Sequence, residues 1–253
     1  MPLDAAHWLI VLFAAAFGGA VGSFLNVVVY RLPNRLSLIS PPSHCPTCKE
    51  PIHWFDNVPV FGWIMLGGHC RHCRCWIPIR YPLVEAFTAA MFVALAITQN
   101  PLTAAYPCRL MLLCTLLCSA LIEVDGNRPP LRLFVPALTV GIVAPLIWPI
   151  DELNVLAGLA AGIVTGGAVW LLTLGWRKLR GQDASDVALP FTGLPLGLIC
   201  AGPFVGWLPL AAIALVVVAV WVLLLLPQRG EPRICVPPSV WLLIATLTWL
   251  LVP

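Results

Sequence analysis

Charge is what this chain lacks. Its 253 residues include 14 Lys and Arg and 11 Asp and Glu, so only 10% are charged, against about 25% in an ordinary soluble domain. Residues 5–30, 86–108, 133–150, 153–176, 187–228 and 234–253 carry no Asp, Glu, Lys or Arg at all. With 60% hydrophobic residues and a mean hydropathy of +0.94, a soluble globule is excluded. The sequence also lacks a Walker loop, a dinucleotide fingerprint, a His-Glu-x-x-His metalloprotease helix and a Gly-x-Ser-x-Gly elbow. No internal repeat or low-complexity segment is apparent.

What is present is a set of apolar runs long enough to cross a bilayer, which takes about 20 residues per helix. The 187–228 run is too long for one crossing, and Gly202-Pro203 with Trp207-Leu208-Pro209 divides it. The reading is an all-α polytopic membrane protein of about eight transmembrane helices. The spans are 7–30, 81–99, 107–123, 132–150, 153–176, 187–203, 207–227 and 235–252. With that count, every basic residue except Arg109 falls on one side, while Asp4, Asp151 and Glu152 fall on the other. Positive charge marks the cytoplasmic face, so both termini are expected outside and the 31–80 loop inside. The net charge of +3 is this topological bias and gives no reason to expect a nucleic-acid partner. Met-Pro-Leu-Asp lacks the basic start of a cleavable signal, so the first span is expected to be retained.

The 31–80 loop carries Cys45-Pro-Thr-Cys48 and Cys70-Arg-His-Cys73. Two Cys-x-x-Cys knuckles can place four thiolates at the corners of a tetrahedron, the geometry of structural Zn²⁺. In a reducing compartment the thiols stay free to bind it, and the ion staples a loop with little core of its own. Cys75 is a fifth, less well spaced candidate, and His44, His69 and His72 flank the knuckles as polar neighbours or substitute ligands. Between the knuckles, residues 54–66 are apolar and aromatic but too short to span, so they are expected at the membrane interface or against the metal site. Cys108, Cys114, Cys118 and Cys200 lie in or near spans and are expected in the core.

Ahead of the first knuckle stands Gly22-Ser23-Phe24-Leu25-Asn26-Val27-Val28-Val29-Tyr30-Arg31-Leu32-Pro33, and after the second Arg80-Tyr81-Pro82-Leu83-Val84-Glu85. With the knuckles between them, this ordered set over residues 18–90 resembles the prepilin leader peptidases, membrane aspartic endopeptidases that often also N-methylate the cleaved pilin. The resemblance implies a division into a first transmembrane helix (1–30), a cytoplasmic zinc-binding loop (31–80) and a seven-helix peptidase-like part (81–253). It also implies a bacterial inner-membrane location and pilin-like precursors as partners. S-adenosylmethionine follows from the resemblance alone, since no local motif marks a site for it.

Family members carry one catalytic Asp in an Ile-Asp-x-Asp pattern and the other at the end of Gly-x-Gly-Asp. The matching stretches here are Leu121-Ile122-Glu123-Val124-Asp125 and Asp183-Ala184-Ser185-Asp186. The register implies Glu123 and Asp186 as the two acids, with Asp125 as the alternate for the first. A Glu stands where the family has Asp, Asp183 and Ser185 replace both glycines, and Leu131 replaces an Asp after the proline. Such a pair must share one proton, because two close carboxylates cannot both ionise. A relative that binds pilin-like segments or secretion machinery without cleaving them is the competing reading. Glu85, one turn into the second span, is expected to accept from Arg80 or Tyr81 or to contact substrate, and Asn26 to need an internal partner.

Overall fold

In a computed structural model, the structure describes residues 5–99, 101, 103, 105–147, 155–179, 193–205, 210, 212–214 and 236–251. The described elements are helical: α1 (Ala5–Arg31), α2 (Phe61–Met65), α3 (Arg80–Thr98), α4 (Ala105–Val124), α5 (Val135–Ile147), α6 (Val155–Leu179), α7 (Gly193–Val205) and α8 (Pro238–Leu251). Short 3₁₀ turns precede α2 at Trp54–Asn57 and α5 at Leu131–Leu133. Among the described residues, three helices are long and apolar enough to cross a membrane: Trp8–Arg31, Arg80–Thr98 and Ala105–Val124. They match the first three expected spans within a few residues. α6 runs past Arg177 and Lys178, and α7 continues through Gly202-Pro203 to Val205; Trp207-Leu208-Pro209, the other part of the expected break, lies outside the described residues. The expected span at 207–227 lies outside the described residues, four positions apart.

Contacts divide the chain into two units, residues 1–101 and 102–253. In the first, α1 packs along α3, and the approach is set by small residues. A Cβ on Gly22 would stand 2.8 Å from the Glu85 Cα, and one on Gly18 would stand 2.9 Å from the Ala89 Cα. Glycines four apart lie on one helix face and let two backbones come together. Polar groups on this seam are satisfied locally. Asn26 Nδ2 donates to the Tyr81 carbonyl, the internal partner its position called for, and Thr88 Oγ1 donates to the Val84 carbonyl one turn back.

In the second unit α4 is central and packs against α5, α7 and α8. Leu112, Leu113, Leu116 and Ile122 of α4, Leu194 and Leu198 of α7 and Leu242 of α8 are fully buried. Cys108, Cys114, Cys118 and Cys200 are buried too, as expected of small core residues. α6 lies along α7, where Gly162 meets the backbone of Leu198 and Ile199.

A side chain at the α1–α3 seam has nowhere to go. Gly22→Ala is expected to cost about 1–3 kcal/mol through overpacking, read as a lowered unfolding midpoint of the purified protein in bilayer discs. An unchanged midpoint would refute the close seam.

Candidate metal centre and buried carboxylate site

The two knuckles are one structure used twice. The Cys45 N–H donates to the Glu50 carbonyl and the Lys49 N–H to the Cys45 carbonyl; at the second knuckle Cys70 donates to Cys75 and Arg74 to Cys70. Ile52 N–H closes on Ser43 and Ile77 N–H on Gly68, and the bridges His44–Pro51 and His69–Trp76 seal both turns. His44 and His69 each turn Nδ1 to a carbonyl two residues back, at Pro42 and Gly67. Every pair is 25 residues apart, and the sequence repeats His-Cys-x-x-Cys-basic-x-x-Ile at 44–52 and 69–77. A short repeat is therefore present where none was expected; it spans nine residues and is kept at only five of them, which hides it in the sequence. Lys49 and Arg74 take left-handed backbones (φ 64° and 58°), an uncommon conformation for residues with a Cβ, and this turns the chain back so that the next carbonyls, of Glu50 and Cys75, accept from Cys45 and Cys70.

The result is four sulfurs, of Cys45, Cys48, Cys70 and Cys73, all within 4.8 Å of one another. Cys45 lies 3.7 Å from Cys73, and Cys48 lies 3.9 Å from Cys70. Tetrahedral bonds of about 2.3 Å to a central ion require sulfurs about 3.8 Å apart, so the residues fit a metal. Their acidities agree. The Cys48 N–H, helped by that of Thr47, lowers the Cys45 thiol to about 6 against the opposing push of burial. At Cys48 the Glu50 N–H pulls down, yet burial and the sulfurs of Cys45, Cys73 and Cys70 push the thiol up to about 12. Four thiolates this close need a cation between them to ionise together. Cys75 sits 3.5 Å from Cys45, at the position that Glu50 holds in the first knuckle, and falls outside the four-sulfur set. Nearby, Arg71 donates two hydrogen bonds of 2.7 and 2.5 Å to Asp56 and holds its carboxyl below the usual range.

Glu85 is buried and accepts a 2.7 Å hydrogen bond from the Val60 N–H, the residue preceding α2. A backbone group of the loop, which the sequence did not point to, thus holds this carboxyl. Val60 is β-branched with φ 63°, which costs on the order of 1–3 kcal/mol and needs support from its surroundings. Glu85 provides part of that support.

Glu123 closes the last turn of α4 and is 4% exposed. Its Oε1 accepts a 2.9 Å bond from the Gly193 N–H at the first residue of α7, and its Oε2 accepts from the Ser239 hydroxyl in the first turn of α8. A carboxylate at two helix starts is favoured by the dipoles of both. A Cβ on Gly193 would stand 2.5 Å from Oε1 and collide with Ser119 Oγ, which is itself buried without a hydrogen-bond partner. Gly193, Ser119 and Ser239 were not singled out from the sequence, and no motif marks them. Asp125 is exposed, two residues beyond Glu123. Asp186 lies outside the described residues.

Three outcomes follow from this geometry. Serine at Cys45, Cys48, Cys70 or Cys73 should lower metal content below one ion per chain by elemental analysis, whereas Cys75→Ser should leave it intact. Ser239→Ala removes the hydroxyl donor to Glu123 Oε2, and about 1–3 kcal/mol of stability should be lost. In a Glu123→Ala background the same serine change should cost far less, and equal losses in both would disprove the contact. Gly193→Ala should destabilise more than Ser239→Ala in the same unfolding assay.

The model of the bacterial peptidase A24 N-terminal domain matches residues 16–99. A prepilin leader peptidase/N-methyltransferase of Myxococcus xanthus is 35% identical over 158 residues, 62% of this chain and 47% of that protein. One from Aeromonas salmonicida is 30% identical over 242 residues, covering 84% of this chain and 80% of that protein. One from Klebsiella pneumoniae is 35% identical over 201 residues, covering 75% and 82%. The chain thus spans about half the length of the first and about four-fifths of the other two. No solved structure matches. Glycine seam, knuckles and Glu85 all fall inside the matched domain, and Glu123 closes the next helix: the chain belongs to the prepilin leader peptidase/N-methyltransferase family.

Proposed function

We propose that this protein is an aspartic-type membrane endopeptidase that removes the leader of type IV prepilin-like precursors at the cytoplasmic face of the inner membrane. Glu123 and Asp186 are its two acids. The observation that carries the reading is the Glu123 carboxyl, held by the Gly193 N–H where α4 meets the start of α7. Glu123 ends the third expected span and Gly193 lies in the sixth, and Asp186 is seven residues before Gly193 in the chain. A carboxylate has room for about four hydrogen bonds, so Glu123 retains an acceptor site beyond those that Gly193 and Ser239 fill. In such a pair one carboxylate takes a proton from the attacking water while the protonated partner donates to the peptide carbonyl oxygen.

The wider frame belongs to the same proposal: eight spans, both termini outside, and the 31–80 module on the cytoplasmic side ahead of a peptidase-like 81–253. Zn²⁺ is the ion proposed for the four sulfurs, because thiolate ligands in tetrahedral array suit it best; its role is to hold the module's shape. The relatives' names include N-methyltransferase, so methylation of the new N-terminus with S-adenosylmethionine is proposed as a second activity.

One observation favours a second reading. Both Glu123 oxygens already bind helix starts, which is also what a purely structural acid would do. The protein would then bind pilin-like segments or secretion machinery without cleaving them.

Cleavage of pilin-like precursors from the same cell decides between the two. Wild type should cleave, and Glu123→Gln and Asp186→Asn should each lose about 10²–10⁴-fold in rate, with Asp125→Asn close to wild type. Loss with Asp125→Asn and Asp186→Asn alone moves the first acid to Asp125. Glu123→Asp restores the family's residue but shortens the arm by about 1.5 Å, and its rate reports whether the site has been rebuilt around the longer acid. Wild type that cleaves no precursor supports the non-catalytic reading.

A further inference from the structure

Residues 57–68 contain no charged side chain, and their apolar groups face outward. Met65 is 84% exposed, Phe61 69% and Ile64 58%. A water-facing loop has no use for such a surface. The backbone beneath it is closed on itself: the N–H groups of Phe61, Gly62, Ile64, Leu66, Gly67 and Gly68 donate to carbonyls between Pro59 and Trp63 or to that of Val58 or Ile64. Val60 N–H, which no nearby carbonyl takes, is given the Glu85 carboxylate instead. Trp63 Nε1 donates to the Ile77 carbonyl at 2.9 Å. Internal pairing of backbone groups is what lets protein sit in hydrocarbon, and most donors of this segment have it.

Two contacts mark the depth. Glu85 is five residues into α3, about 7–8 Å past Arg80 at a rise of about 1.5 Å per residue. Pro59 lies against Gly19, where an added Cβ would be 3.1 Å from the proline ring. Gly19 is twelve residues, about 18 Å, from the Arg31 end of α1, and α1 extends past the start of α3, since Asn26 lies level with Tyr81. Both marks put the tip inside the hydrocarbon if α1 and α3 span it.

We propose that residues 58–66 form a re-entrant wedge whose Phe61, Ile64 and Met65 contact lipid acyl chains of the inner leaflet, with Glu85 as its anchor. The flanking helices also expose large apolar groups, Phe17 and Phe24 on α1 and Phe87 on α3, and the depth of Pro59 beside Gly19 is what selects acyl chains as the occupant. This differs from a segment lying flat on the surface: its Val60 N–H reaches the buried Glu85 within α3, and its Trp63 indole reaches back to the Ile77 carbonyl. The wedge does not depend on which acids cleave.

The test uses the full chain in phosphatidylethanolamine/phosphatidylglycerol bilayers doped with a phospholipid carrying a diazirine near the end of its acyl chain. Photolabelling is read by mass spectrometry, and parallel samples are exposed to hydroxyl radicals. Lipid label on Phe61–Met65 is expected, and Met65 should oxidise no faster than Met91, which is only 2% exposed. Label on residues 9–17 of α1 serves as the check that the chain is inserted. Glu85→Gln keeps an acceptor for Val60 and should keep both results, whereas Glu85→Ala should lose the label and speed oxidation of Met65. Rapid oxidation of Met65 in the wild type, or label on α1 without label on 61–65, overturns the wedge. So does lipid label that gives way to cross-links with an added pilin-like precursor, which would make the substrate helix the occupant.

Discussion

Two buried carboxylates, each accepting a backbone N–H where another helix begins, organise what can be described of this protein. Glu85 takes the Val60 N–H ahead of α2, and Glu123 takes the Gly193 N–H at the start of α7. In an apolar setting an unpaired donor or an unpaired acid costs several kcal/mol, and each contact settles one of each. The first four N–H groups of any helix have no partner within it, which makes a helix start the natural place to seat such an acid.

Beside each of these acids stands a glycine whose missing side chain leaves room. Gly22 lets α1 approach the Glu85 backbone, and Gly193 leaves room for the Glu123 carboxyl beside Ser119. Apolar helices in lipid gain little from burying more apolar surface, so close approach and polar pairing decide which faces meet. The acids and the glycines are therefore best read together: moving one member of either pair disturbs the other.

The metal module rests on a different device. Its two knuckles repeat the same turn at a fixed offset, with a left-handed Lys49 or Arg74 after the second cysteine of each. The four sulfurs converge because two like turns face each other, and an ion between them offsets the mutual repulsion of the thiolates. The motif was readable as cysteine spacing; the surrounding His, basic residue and Ile were equally readable once the turns showed which positions correspond.

Membrane class, the first three spans, the four-cysteine set and buried cysteines such as Cys118 were determined by the sequence itself, because each rests on composition or on local spacing. Hydrophobic length needs no partner to be recognised, and Cys-x-x-Cys carries its geometry in a single turn. The partners of Glu85 and Glu123 were decided only by the tertiary structure. Val60 lies 25 residues before Glu85, and Gly193 and Ser239 lie 70 and 116 residues after Glu123. None belongs to a pattern, since any backbone N–H or serine hydroxyl can serve an acid that folding brings within reach. Sequence states which groups must be satisfied, and packing chooses what satisfies them.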